Sequence, residues 1–325
     1  MFIAGFFADR FGIKEKGEIE IAALLHDLGH LPFSHSFEEY FTGVTGLTHE
    51  EAGVRMIRGE KPFSDSSIPG ILENIGVDTA LVVDILRKGK RSDGISGIIS
   101  GPVDSDEMDY LRRDSYYCGI PIGSVDYRRV INTVQLYDGR IVIEEKGIPS
   151  MELLTVSRIQ MYRSVYWHKT CRIAQGMVSN ALELLEEKVE QPFTMRDDQL
   201  VGILLEDRAT KDIMENVLYR KLFKVMHRYP YSQELAASIR DALADSGFER
   251  HRYVLDVIPP ENFRGSERVK SNISVMKNGR EFPMDEVSPL VKSLEETLEG
   301  RIIVLSVDQD HAGSLPASLE PANIR

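Results

Sequence analysis

Four of the eight histidines, His26, His30, His35 and His49, fall within 24 residues of chain. His26 is followed at once by Asp27, at the end of an apolar helical run. Neighbours on a helix diverge by about 100°, so the two side chains do not meet one partner as an i, i+4 pair does. At a helix end, an imidazole nitrogen and a carboxylate oxygen can still reach one metal ion. Such an N/O set suits iron, manganese, zinc, cobalt or nickel better than magnesium alone. His30 and His35 sit in the Gly/Pro-containing segment GHLPFSH, and His49 opens the next helix. Histidines beside a metal act as hydrogen-bond donors and proton shuttles for a developing oxyanion.

Two further blocks carry chemistry. Residues 103–120 read VDSDEMDYLRRDSYYCGI, and residues 157–172 read SRIQMYRSVYWHKTCR. In the second, Arg158, Tyr162, Tyr166 and Lys169 recur at i, i+4, i+8 and i+11, which places them on one helix face. Cations alternating with phenols suit a nucleotide, with charge for phosphate and ring for sugar and base. His168 is read as structural. His227, His251 and His311 are placed outside the chemistry, and Trp167 is read as packing.

Helical elements must position these residues. Periodicity predicts helices over 18–28, 36–42, 78–88, 104–117 and 127–136. Another follows Thr48, whose T-H-E-E run offers a capping box with Glu51. LYDGRIVIEE predicts a hairpin turning at Asp138-Gly139. Residues 151–188 read as one long helical stretch. Beyond 190 come helices at 196–205, 209–226 and 286–297, with strands at 252–258, 272–276 and 302–307. The fold class is therefore mainly α, a helical bundle with a small α+β C-terminal element. The domain division is 1–190 and 191–325, and the last residues, AGSLPASLEPANIR, read as a loose tail.

The 325 residues are 42% hydrophobic, enough for a sizeable core. No apolar run of 18 residues occurs, so no transmembrane helix or membrane partner is expected. The opening MFIAGFFADR lacks the features of a signal peptide. Cys118 and Cys171 imply no disulfide framework, which points to a reducing, cytoplasmic location. The net charge of −12 disfavours long nucleic acid as a partner and leaves room for a small anion in a local pocket.

HDLGHLPFSHSFE…THEE resembles the HD superfamily, and within it the deoxynucleoside triphosphate triphosphohydrolase branch. The block at 103–120 resembles that branch's D-x-D-[KR]-x-D-Y-x-x-R-D signature, and the block at 157–172 its R-x-x-M-[YF]-x-x-V-Y-x-H-K helix. The resemblance spans residues 18–190. It implies an HD-domain bundle, a divalent metal (Fe, Mn, Zn, Co, Ni or Mg), a nucleotide substrate and a homodimer or tetramer. His26, Asp27 and Asp106 match metal ligands. His30, His35 and His49 match phosphate contacts or proton-transfer groups, with Glu38 orienting one of them, His49 in particular. Tyr110 and Asp114 match contacts to the sugar 3′-hydroxyl, and Arg158 and Tyr166 match phosphate and nucleotide contacts.

The implied reaction converts a dNTP to deoxynucleoside and triphosphate. An HD-type 5′-nucleotidase or phosphodiesterase is the alternative, and a non-catalytic nucleotide-binding regulator is another. Two departures stand out. The family carries one more histidine in an R-x-x-H-S-L-G-V block, and no histidine precedes His26 here, so a truncated first helix, reduced metal occupancy and impaired activity are expected. Glu107 stands where the family carries Lys or Arg facing the triphosphate, which brings a monophosphate substrate into view.

Overall fold

The structure is a computed structural model. It describes residues 1–87, 94–123, 125–185, 189, 192–257, 273–297 and 302–320. Among the described residues the fold is mainly helical, with two small sheets. Among the described residues, no helix is long and apolar enough to cross a membrane. The chain divides into two compact units. One comprises Met1–His30, Leu47–Arg163 and Val269–Glu296, and the other Leu31–Gly46, Ser164–Arg268 and Thr297–Arg325.

In the first unit, the helix Phe2–Phe11 buries Ile3, Ala4, Phe7 and Ala8 and ends at Gly12 in the left-handed conformation. The next helix runs over Lys16–Leu25. A core of Ile57, Leu72 and Val83 forms where the helices His49–Arg58, Ile68–Asn74 and Thr79–Leu86 contribute their apolar faces, with Ile21 and Leu25 packed against it. The capping box is present. Thr48 Oγ1 accepts the Glu51 N–H at 3.2 Å, and Glu51 Oε2 accepts the Thr48 N–H at 3.2 Å. The helix 78–88 begins at Thr79 on an Asp78 cap and runs to Leu86, and residue 88 lies outside the described residues. The helix Ser105–Cys118 is capped by Asp104 and stopped by left-handed Gly119.

The helix expected over 127–136 stops at Ile131, and Val134–Tyr137 is a strand instead. Just past the helix end, the Thr133 hydroxyl bonds back to the Val130 carbonyl at 2.9 Å. That strand forms the hairpin with Arg140–Glu144 through Asp138 and Gly139, both at positive φ. The hairpin strand Arg140–Glu144 then pairs in parallel with Ser274–Lys277, which pairs antiparallel with Arg280–Pro283. The C-terminal strands therefore divide between two sheets and do not form one element. Residue 272 of the expected strand lies outside the described residues.

The second unit holds the other sheet, in the order Lys224–Pro230, Ile302–Val307, Tyr253–Val257, all antiparallel. The helix expected over 209–226 ends at Leu218, and 224–230 alternates in burial as a strand. A helix at Gln233–Asp245, unforeseen from the pattern, covers the sheet with Ala236, Ile239 and Leu243. Residue 258, expected to close the strand 252–258, is outside the described set. The long stretch 151–188 is interrupted. It consists of a helix Ile148–Met161, a π-turn at Tyr162–Tyr166 and a helix Lys169–Leu184, with 186–188 outside the described residues. Of the expected tail, residues 312–320 are described and 321–325 lie outside the described residues. Leu319 is buried and its carbonyl accepts the Tyr229 hydroxyl at 2.7 Å, which ties the end of the chain to the sheet.

Helix Lys169–Leu184 meets strand Tyr253–Val257 at Gly176. A Cβ there would lie 2.4 Å from Val254 Cγ1. Gly176→Ala is expected to cost about 1–3 kcal/mol by overpacking. Thermal unfolding should show a lowered Tm, and adding Val254→Ala should recover part of it.

Candidate active site

The helix Lys16–Leu25 delivers His26 at its C-terminal cap, still in right-handed backbone geometry. His26 Nδ1 lies 3.1 Å from the Ala23 carbonyl oxygen, which can only accept, so Nδ1 donates and Nε2 carries the lone pair. That Nε2 is buried and makes no hydrogen bond. It faces Asp27 Oδ1 at 3.2 Å and Asp106 Oδ1 at 3.3 Å. One ligand atom from each of His26, Asp27 and Asp106 lies within 4.8 Å of the others. Asp106 comes from the first turn of helix Ser105–Cys118. Asp104 fixes that turn, with Oδ1 accepting the Glu107 N–H at 2.8 Å and Oδ2 the Gly101 N–H at 3.0 Å.

Two carboxylates aimed at one imidazole nitrogen repel each other unless a positive charge lies between them. Burial opposes the His26 imidazolium, yet Asp106 and Asp27, with the Ala23 carbonyl, outweigh it and hold the His26 pKa above its usual value. A lone pair pre-aimed by Nδ1–H, beside two oxygens of opposite charge to a cation, fits a divalent metal. Proton and metal compete for that one atom.

His30 and His49 stand beside this group. Their rings stack with centroids 4.1 Å apart and planes 14° from parallel. His30 Nε2 is 3.3 Å from Asp27 Oδ1. The stack depends on a backbone approach at Gly29, where a Cβ would lie 2.0 Å from the His49 carbonyl oxygen and 2.5 Å from the Gly53 nitrogen. The pattern of histidines did not point to Gly29 or Gly53, although a glycine directly before His30 was the available signal. His35 lies on the 3-10 turn Ser34–Phe37, its side chain 72% exposed, and Glu38 Oε2 stands 3.3 Å from its Nδ1. Glu38 thus stands within hydrogen-bond reach of His35.

On helix Ser105–Cys118, Asp106, Tyr110 and Asp114 follow one another at i, i+4 and i+8, a single face. Burial, reinforced by the charge of Glu107, pushes the Tyr110 phenol well above its usual pKa. Glu107, expected to face the substrate, turns inward. Its Oε1 lies 3.4 Å from Arg158 Nε, with both side chains 6% exposed. Burial opposes the Arg158 charge, but Glu107, together with Tyr110, Tyr162 and Asp104, outweighs it and raises the guanidinium pKa. The Arg158 guanidinium also lies 5.8 Å from the centre of the Tyr162 ring. The π-turn separates Arg158 from Tyr166 and Lys169, so the four residues do not share one unbroken helix face. His168 caps its helix by accepting the Thr170 N–H at 3.4 Å. Both cysteines are free and exposed.

Fold and site together define an HD-domain architecture. Residues 1–82 match the HD domain and residues 125–307 the HD associated region, and the chain belongs to the HD-domain family. It is 29% identical over 314 residues to an uncharacterised protein of Methanocaldococcus jannaschii, covering 89% of this chain and 63% of that one. Among named relatives it is 25% identical to the deoxynucleoside triphosphate triphosphohydrolase SAMHD1 homologue of Dictyostelium discoideum, covering 75% of this chain and 52% of that one. The human SAMHD1 enzyme is 23% identical, covering 74% of this chain, which spans 49% of that protein's length. A hypothetical protein of Aquifex aeolicus superposes with a TM-score of 0.79 at 28% identity, covering 98% of this chain and 84% of that one. A phosphohydrolase of Bacteroides thetaiotaomicron shares the fold, with a TM-score of 0.71 at 22% identity and coverage of 94% and 85%.

Gly29→Ala is expected to separate the His30–His49 stack. Circular dichroism should remain helical while metal stoichiometry, read by plasma emission, falls. Glu107→Gln leaves a buried guanidinium uncompensated and should cost about 3–5 kcal/mol in denaturant unfolding, whereas the double change Glu107→Met with Arg158→Leu should recover most of that loss.

Proposed function

We propose that this chain is a metal-dependent nucleotide phosphohydrolase that converts a deoxynucleoside triphosphate to deoxynucleoside and triphosphate. The observation that carries the reading is the meeting of His26 Nε2 with the Asp27 and Asp106 oxygens, beside the stacked His30 and His49. His26, Asp27 and Asp106 would hold a divalent metal. When bound, the metal supplies Lewis acidity and lowers the pKa of a coordinated water. The family resemblance supports a nucleotide as the substrate and a homodimer or tetramer as the assembly.

In this reading, water attacks the α-phosphorus, the Pα–O5′ bond breaks, and the 5′-oxygen leaves with a proton. The histidines His30, His35 and His49 donate to phosphate oxygens and move that proton, with Glu38 orienting His35. Tyr110 and Asp114, one and two turns along from Asp106, reach the sugar. Arg158 and Tyr166 enter as phosphate and nucleotide contacts through the resemblance alone.

A second reading has an observation of its own. Glu107 neutralises Arg158, so that guanidinium brings no uncompensated charge to a triphosphate. This favours a less charged phosphate ester, as in an HD-type 5′-nucleotidase.

The test starts from metal-depleted protein reloaded separately with Fe, Mn, Zn, Co, Ni or Mg. Each form is assayed on dNTPs, dNMPs and cyclic dinucleotides, with products resolved by ion-exchange chromatography. Deoxynucleoside plus triphosphate is the expected product pair, and Asp106→Ala should lower metal affinity by more than about 100-fold. Pyrophosphate plus monophosphate would overturn the chemistry. Turnover of dNMPs alone selects the nucleotidase. Thermal stabilisation by nucleotide without any product selects a binding regulator.

A further inference from the structure

The segment that leads to His35 contains strained backbone. Phe33 and Ser34 both take left-handed dihedrals, with φ of 60° and 50°. That region disfavours any residue carrying a Cβ, and neither residue is the glycine, asparagine or aspartate that tolerates it. The two successive left-handed residues reverse the chain after Leu31, whose carbonyl accepts the Ser34 N–H at 2.8 Å. They open the turn Ser34–Phe37, on which His35 is presented.

Such strain persists only where surrounding structure over-determines it. Two side chains from the HD associated region do so here. Asp197, the first residue of helix Asp197–Glu206, accepts the Phe33 N–H on Oδ1 at 2.8 Å. Gln175, from helix Lys169–Leu184, donates from Nε2 to Ser36 Oγ at 3.0 Å. The Phe33 ring packs edge-on to buried Phe37 with centroids 5.6 Å apart, which closes the turn from within. The two polar holds flank His35 on its N-terminal and C-terminal sides. Neither Asp197 nor Gln175 bonds the imidazole, so their effect on it passes through the backbone.

We propose that Asp197 is a positioning residue for His35. By accepting the Phe33 N–H it keeps Phe33 and Ser34 left-handed, and so fixes the direction in which His35 is offered to the reacting phosphate. Gln175 is the second hold. The role of His35 in proton transfer rests on the proposed function, whereas the clamp can be read without it.

Three variants test this in the metal-loaded 325-residue chain: Asp197→Ala, Asp197→Asn and Asp197→Ala with Ser34→Gly. Asparagine keeps an oxygen acceptor for the Phe33 N–H. Glycine at 34 adopts the left-handed region freely, so the turn needs less restraint. Asp197→Ala is expected to lower kcat by on the order of 10- to 100-fold while KM stays within about 2-fold. Asp197→Asn should stay near wild type, and Ser34→Gly should restore most of the kcat lost in Asp197→Ala. An unchanged kcat, an Asn variant as impaired as Ala, or no rescue by glycine would each sink the proposal. If wild type turns over no phosphate ester with any metal, the proposed function fails. The clamp is then judged by amide exchange at Phe33 and Ser34 and by the His35 ring resonances. Faster exchange and broadened His35 signals in Asp197→Ala support it, and unchanged spectra overturn it.

Discussion

Two carboxylates and an imidazole are brought to one point, and the rest of the first unit is arranged around keeping them there. Asp27 follows His26 in sequence, but Asp106 arrives from 80 residues further along the chain. Packing must hold its oxygen 3.3 Å from His26 Nε2 against the repulsion between the two carboxylates. The restraint is distributed. Asp104 caps the helix that bears Asp106, and Glu107, the next residue, is pinned inside the unit by Arg158. A buried ion pair of this kind contributes little net stability, because desolvation offsets its attraction. Its value here is geometric: it fixes the rotation of a helix whose other face carries Asp106, Tyr110 and Asp114.

The histidines are held by a different device. His30 and His49 stack because two glycines allow a turn and a helix start to approach within backbone distance. His35 is held by strain and by side chains that lie far away in sequence. One motif of four histidines thus relies on three separate kinds of support: a helix cap for His26, a glycine contact for His30 and His49, and a clamped turn for His35.

Much of this was legible in the sequence, for physical reasons. His26 and Asp27 fall at the end of an apolar helical run, Thr48 and Glu51 spell a capping box, and Asp138-Gly139 marks a hairpin. All three are local signals and all three stand in the structure. The illegible features are non-local or depend on a partner. The break after Met161 occurs inside a strongly helical pattern, so periodicity carried the reading straight through Tyr162–Tyr166. The first residues of the strand Lys224–Pro230 were absorbed into the helix expected over 209–226, because their alternation in burial arises only once they pair with Ile302–Val307. Glu107 was read as facing the substrate because the resembling family carries Lys or Arg there facing the triphosphate, and only the fold supplies the buried arginine opposite. Asp197 carries no signal in sequence, since an aspartate at a helix start is accounted for by the helix itself.

The parallel pairing of Arg140–Glu144 with Ser274–Lys277 bears on the time course of synthesis. The first of these strands leaves the ribosome about 130 residues before its neighbour, a wait of roughly 6–26 s at ordinary elongation rates. Throughout that interval one edge of the hairpin has no permanent occupant, while its residues Val142 and Ile143 are among the most buried in the finished protein. An open apolar edge is a template for wrong strands, from the same chain or from another. The unit that carries His26, Asp27 and Asp106 is therefore the first to begin folding and cannot finish until the segment beyond residue 273 has been made. Expression conditions that slow elongation across the intervening residues would lengthen its exposure, and the yield of correctly folded protein would depend on translation speed as much as on equilibrium stability.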